Sequence, residues 1–227
     1  MSDTATEVPW GYSANDGPAC WASLDPAFRL CGCGREQSPI NLVNARTQQL
    51  PSLHFDYHPT TAGIVDTGRT IEFHPPSGHT LMVGSRRHEL RQFHFHHASE
   101  HRIDGRRLPM ELHLVHTDGD GALTVVGVLI ARGDENAAVA SLWQALVEDP
   151  DSLGSVNVDL AALLPASTKA WRYQGSLTTP PCSEGVSWIV LAGMLTLSAR
   201  QIAAFANYHP ANCRPVQPLG GRVLVIG

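Results

Sequence analysis

The chain has 227 residues, of which 43% are hydrophobic and 16% charged, a globular balance with enough apolar side chain to bury a core. A formal net charge of −5 argues against nucleic acid or an acidic membrane surface as partner. Its longest apolar run, VSWIVLAGMLTL at 186–197, is too short to span a bilayer, and neither a repeat nor a basic block occurs.

Residues 1–40, rich in Gly, Pro and Trp, read as an irregular arm packed on something larger. The opening MSDTATEVPWGY has neither a basic nor an apolar segment, so no signal peptide is expected. From about residue 63 to 132, strand patterns follow one another: TIEFH, HTLMV, ELRQFHFHHASEH, MELHLVHT and LTVVGVLIA, separated by the turn signals PPSG, RIDGRR and DGDG.

Two of these runs carry chemistry. Successive side chains of a strand point to opposite faces, so Gln92, His94 and His96 share one face while Phe93 and Phe95 take the other. By the same parity Glu111 and His113 share a face, opposite Leu112 and Leu114. An isolated HxH more often decorates a surface or fills a core. If the two runs pair antiparallel, however, three imidazoles converge and leave a fourth tetrahedral position open, as at a catalytic zinc. Gln92 and Glu111, each two residues from a ligand, are acceptors suited to hold the ligands' second N–H groups.

Farther on, residues 136–148 show the clearest amphipathic helix, with Val139, Leu142, Trp143 and Leu146 at helical spacing. WRYQGSLTTPPC and VSWIVLAGMLTL resume the strand pattern, Ser198 is placed to cap a helix over ARQIAAFANYH, and RVLVIG reads as a closing strand. The expected fold is mostly β (α+β). It is one domain over 1–227, built on a large, twisted, mainly antiparallel sheet with a few short peripheral helices. Five cysteines leave at least one unpaired within the chain; one disulfide is plausible, and spacing does not choose its partners.

The blocks WGY (10–12), QSPINL (37–42), QFHFH (92–96), SEH (99–101), ELHLVH (111–116), GSLTTPP (175–181), VSWIVL (186–191) and RPVQPL (214–219) resemble, in order, the α-class carbonic anhydrases. The resemblance implies reversible hydration of CO2 to bicarbonate and a proton, with Zn2+ on His94, His96 and His113 and zinc-bound hydroxide as nucleophile. Zinc brings its water to a pKa of about 7, a figure that belongs to this family itself. Thr178 would accept a hydrogen bond from the hydroxide and donate one to Glu100. Gln92 and Glu111 would hold His94 and His113, with Asn212 serving the remaining ligand through its backbone carbonyl. Val115, Val125, Leu177, Val186 and Trp188 would form the apolar CO2 wall, and Thr179 would touch bicarbonate. Ser38, His101 and Tyr173 match a buried polar network.

The chain departs from the family at DTGRTIEF, where Arg69 occupies the position of the proton-shuttling histidine. An arginine is mismatched to a water of pKa about 7 by at least five pH units, roughly 7 kcal/mol, so a shuttle-limited, buffer-dependent hydratase is expected. Glu72, on the same strand, is a poor substitute, since an unperturbed glutamate has a pKa of about 4.3, and His74 is one further histidine near the cavity mouth. Cys31 and Cys182 match cysteines joined in secreted and bacterial members, which implies a periplasmic or secreted protein; Cys20, Cys33 and Cys213 are extra. Partners are limited to the small-molecule substrate, as a monomer or homodimer. The competing functions are a non-catalytic binding relative, a zinc esterase as a side activity, and a metal store.

Overall fold

Alternation of apolar and polar residues, with branched and aromatic side chains on the buried face, makes strands the main regular structure of the chain. The computed structural model describes residues 8–148, 154–208 and 211–227; the first seven residues of the expected arm and His209 of the expected second helix lie outside them. The strands are β1 (Asn41–Leu42), β2 (Arg46–Thr47), β3 (Leu53–Asp56), β4 (Pro59–Asp66), β5 (Ile71–His74), β6 (Thr80–Val83), β7 (Arg86–His97), β8 (Arg102–Ile103), β9 (Arg106–Arg107), β10 (Met110–Asp118), β11 (Leu123–Arg132), β12 (Ser155–Asp159), β13 (Ala170–Ser176), β14 (Glu184–Leu197) and β15 (Val225–Ile226). The α-helices are α1 (Trp21–Leu24), α2 (Leu30–Cys33), α3 (Ala137–Glu148) and α4 (Ala199–Tyr208).

Twelve strands form one sheet in the order β12-β4-β5-β7-β10-β11-β14-β13-β15-β2, with β6 also on β7 and β3 on β6. Most pairs are antiparallel; β11·β14 and β15·β2 are parallel, so the sheet is mixed. The parallel pair β11·β14 is central. It becomes possible because a long connection through α3, β12 and β13 separates Arg132 from Glu184 and lets β14 return in the same direction as β11. The edge strand β12, its neighbour β4 and the short β1 to β3 have too little apolar contrast to be singled out in the sequence.

One face of the sheet holds the main core. Phe73, Phe93, Phe95, Leu112, Leu114, Val126 and Val128 pack there under Val139, Leu142, Trp143 and Leu146 of α3 and Phe205 of α4. Phe95 meets Trp143 edge-on at 4.8 Å between ring centroids, and Trp143 stacks on Phe205 at 5.1 Å. Each such side chain contributes about 1.5–3 kcal/mol on burial. Ser198 caps α4 as expected: Gln201 N–H donates to Ser198 Oγ (3.2 Å) and Ser198 N–H donates back to Gln201 Oε1 (3.1 Å).

The arm docks on the other face. Trp21 is fully buried against the Cys31–Cys182 disulfide, which links positions 151 residues apart. Arg214, 1% exposed, joins arm to sheet: its Nη1 donates to Gln37 Oε1 and the Ser38 carbonyl, and its Nη2 to the Cys31 carbonyl. Burial lowers the Arg214 pKa to about 10 and leaves it a cation.

Candidate metal centre

Strands β7 and β10 pair antiparallel with His113 opposite His94 and Glu111 opposite His96, which puts all four side chains on the face away from the phenylalanine core. His96 and His113 are 1% exposed and His94 is partly buried. Each ring is held by an oxygen acceptor. His94 Nδ1–H donates to Gln92 Oε1 at 2.7 Å, His96 Nδ1–H to the Asn212 carbonyl at 2.6 Å, and His113 Nε2–H to Glu111 Oε1 at 3.0 Å. Those bonds fix the tautomers and leave lone pairs on His94 Nε2, His96 Nε2 and His113 Nδ1.

The ligand nitrogens of the three residues lie within 4.8 Å of one another, with His94 Nε2 and His96 Nε2 3.1 Å apart. Tetrahedral zinc with bonds of about 2.0–2.1 Å spaces its ligands by roughly 3.3 Å, close to that separation. Burial, and after it the neighbouring rings, hold His94 well below the usual histidine range; burial also lowers His96 against the pull of Glu100. Neutral imidazole is the form that binds a metal. The donor set fits a small divalent ion that accepts nitrogen.

A second group, His101, Glu111 and His113, is a hydrogen-bonded network. Glu111 Oε1 accepts from His101 Nδ1 (2.7 Å) as well as from His113, and Oε2 accepts from the Glu100 and His101 backbone N–H groups. Burial would raise the Glu111 carboxyl, but His101 and His113 hold it well below the carboxylate range. The Tyr173 hydroxyl lies 2.7 Å from His101 Nε2 and 2.9 Å from Ser38 Oγ, which makes the buried network continuous.

His94 and His113 line a cavity of about 470 Å³, with His96 buried beside them. Val115, Val125, Leu177 and Trp188 wall one side beside Thr178 and Thr179, while Arg69, Glu72 and Gln92 make the other polar. Val186 is 1% exposed and packs with Val125 and Trp188 in the same apolar cluster. Trp188, two residues along the same face of β14 and itself only 2% exposed, lines the cavity.

Glu100 is fully buried beside the three histidines. Its Oε1 accepts from Arg214 N–H at 2.7 Å, but Oε2, fully buried, makes no hydrogen bond among the described residues and so none to Thr178. That oxygen lies 3.6 Å from His96 Nε2 and 3.9 Å from His113 Nδ1, toward the ligand nitrogens. Arg69 stands at the cavity wall as expected from its position, and Glu72 Oε2 accepts from His74 Nε2 at 2.9 Å.

Trp10 and Tyr12 of the arm also line the cavity. Burial and then the nearby Glu100 push the Tyr12 hydroxyl well above its ordinary pKa. Nothing in residue type or spacing marks them; WGY stands out only as a matching block. The Asn212 side chain was unforeseen too: Oδ1 accepts from His97 N–H (2.8 Å) and Nδ2 donates to the Phe95 carbonyl (3.0 Å), anchoring the end of β7.

Fold and site together define a mostly β, single-domain protein organised round an open three-histidine centre. Residues 16–226 match the family described as eukaryotic-type carbonic anhydrase. A carbonic anhydrase of Pectobacterium carotovorum is 43% identical over 229 residues, covering 99% of this chain and 94% of its own. One of Neisseria gonorrhoeae is 40% identical over 222 residues, covering 95% and 87%. The α-carbonic anhydrase of Thermovibrio ammonificans, solved with sulfanilamide, superposes with a TM-score of 0.90 at 37% identity over 97% of this chain and 100% of that one. The chain belongs to the α-class carbonic anhydrase family.

Proposed function

We propose that the chain hydrates CO2 reversibly to bicarbonate and a proton at a Zn2+ ion held by His94, His96 and His113. The observation that carries this is the convergence of three tautomer-fixed, neutral imidazole nitrogens, two of them from residues lining a cavity with an apolar wall. Bound zinc supplies Lewis acidity that makes water nucleophilic near neutral pH. Gln92, Glu111 and the Asn212 carbonyl keep the rings aimed. Three neutral ligands leave the ion's full charge available, which carboxylate ligands would reduce.

Val115, Val125, Leu177 and Trp188 receive apolar CO2 and exclude water from it, with Val186 supporting them from beneath. Thr178 directs the nucleophile by its hydroxyl, and the unpartnered Glu100 Oε2 is the buried acceptor that takes the threonine proton direction out of play. Thr179 contacts the bicarbonate product. Arg69 does not accept the released proton, so export depends on buffer. The Cys31–Cys182 disulfide supports a periplasmic or secreted setting, and no helix of the described residues is long and apolar enough to cross a membrane. A non-catalytic binding role draws no support from a site that retains all three imidazoles, Thr178 and Glu100.

Stopped-flow CO2 hydration by protein carrying one zinc per chain, at increasing imidazole-type buffer, tests the proposal. Activity that climbs with buffer is the expected result. No activity despite stoichiometric zinc would refute the hydratase.

A further inference from the structure

A second cavity, of about 630 Å³, opens behind the CO2 wall, between the β11 end of the sheet and β13, with Trp188 lining both cavities. Its walls combine Leu123, Ile189, Val223 and Val225 with Arg172 and His88. Two unusual features meet there. Val223 is 52% exposed, the most exposed of the large hydrophobic side chains among the described residues. Arg172 is a half-buried cation whose Nε is shielded from solvent yet donates no hydrogen bond. Its Nη2 donates to the Pro51 carbonyl at 2.6 Å, a neutral acceptor.

The other charges facing the cavity are accounted for. Arg86 pairs with Asp118 at 2.7 Å and with Asp120 at 2.8 Å. Asp118 Oδ1 is also taken, by the backbone N–H groups of Asp120 and Ala122. His88 Nδ1 lies 3.3 Å from Thr124 Oγ1, and burial lowers its pKa, so it adds little positive charge at neutral pH. Burial alone lowers Arg172, with no acidic neighbour opposing it. A guanidinium with five N–H donors thus sits at the wall of a mixed polar and apolar cavity without a counter-charge of its own.

We infer that this cavity binds a small amphipathic monocarboxylate, its carboxylate on the Arg172 guanidinium and its alkyl chain against Leu123, Ile189 and Val223. A carboxylate accepts two parallel N–H bonds from a guanidinium, and the Nη groups of Arg172, of which Nη2 gives one bond to Pro51, have N–H donors left for it. A phosphate dianion would need a second cation, and Arg86 is already engaged. The volume is that of a small-molecule site. A chain of several carbons covers Val223, which otherwise faces water.

The probe is hexanoate, added to the zinc-loaded, 15N-labelled protein, with 1-hexanol as the uncharged control. The expected result is saturable shifts clustered at Arg172, Leu123 and Val223, with hexanol binding more weakly by about tenfold or more. Arg172→Met removes the charge-assisted bonds and should weaken hexanoate by a similar factor. Val223→Asp sets a like charge at the exposed mouth, leaves the core untouched, and should weaken it as well. Shifts confined to the neighbourhood of His94 and Thr178 would mean that the anion goes to the metal centre and would overturn the inference. So would the absence of saturable shifts, or hexanoate affinity unchanged in both variants. None of these outcomes depends on CO2 turnover.

Discussion

The Arg69 guanidinium lies 4.2 Å over the Trp10 ring and donates from Nε to the Trp10 carbonyl at 2.9 Å, joining the arm to the cavity rim. A cation–π contact of this kind contributes about 0.5–2 kcal/mol. The position is therefore spent on a structural contact. Replacing it, Arg69→His, should supply a group of pKa near neutrality at the rim and remove much of the buffer dependence of turnover. Turnover measured against buffer concentration checks this; an unchanged dependence would show that another group already carries the proton.

Both oxygens of Glu111 are committed, one to the His101 and His113 rings and the other to two backbone N–H groups. Glutamine can accept on only one side, and its amide N–H would confront donors on the other. Glu111→Gln should weaken zinc binding by about 10- to 100-fold, measured by chelator competition. Equal affinity would mean that His113 is aimed by something else.

Gly127 stands opposite His113 in the β10·β11 register, and a Cβ there would lie 2.9 Å from Glu111 Oε1. Gly127→Ala should therefore displace the same carboxylate from the opposite side and lower zinc affinity without removing any ligand. The check is the same competition assay, with unchanged affinity excluding the proposed crowding.

The Cys31–Cys182 bridge ties the arm to the loop that follows Thr178 and Thr179. The double variant Cys31→Ser, Cys182→Ser should lose about 2–5 kcal/mol in urea unfolding, chiefly because the unfolded chain is freed. An unshifted midpoint would show that Arg214 and Gln37 hold the arm unaided.

His116, fully buried, donates from Nδ1 to the Thr124 carbonyl at 3.2 Å and accepts the Tyr57 hydroxyl at Nε2. Burial lowers its pKa to about 3. The unfolded chain takes up this proton near pH 6.5 while the folded chain refuses it, so stability falls as pH drops through that interval. The slope is about 1.4 kcal/mol per pH unit between about 6.5 and about 3, with none above. His116→Gln, which keeps an acceptor for Tyr57, should remove one proton from the pH dependence of the unfolding free energy between pH 6 and 4.

Much of the site was legible because it rests on local geometry. Strand parity alone puts Gln92, His94 and His96 on one face and Glu111 with His113 on another, and the antiparallel register of β7 and β10 then brings them together. The capping pair Ser198 and Gln201 and the apolar stripe of α3 are local patterns of the same kind. What sequence reasoning missed is non-local. Trp10 and Tyr12 enter the cavity only because the arm folds back over the sheet, and no periodicity carries that information.

By itself, then, the sequence determined the strand faces, the convergent histidines with their acceptors, and the family, since each follows from backbone periodicity or from matched blocks. Tertiary structure alone decided the central parallel pairing of β11 with β14, the approach of Trp10 and Tyr12 to the cavity, and the turn of Glu100 Oε2 toward the ligand nitrogens. It also left Arg172 without a counter-charge. These outcomes depend on which distant segments compete for the same space and the same hydrogen-bond donors, and that competition is settled only when the whole chain is packed.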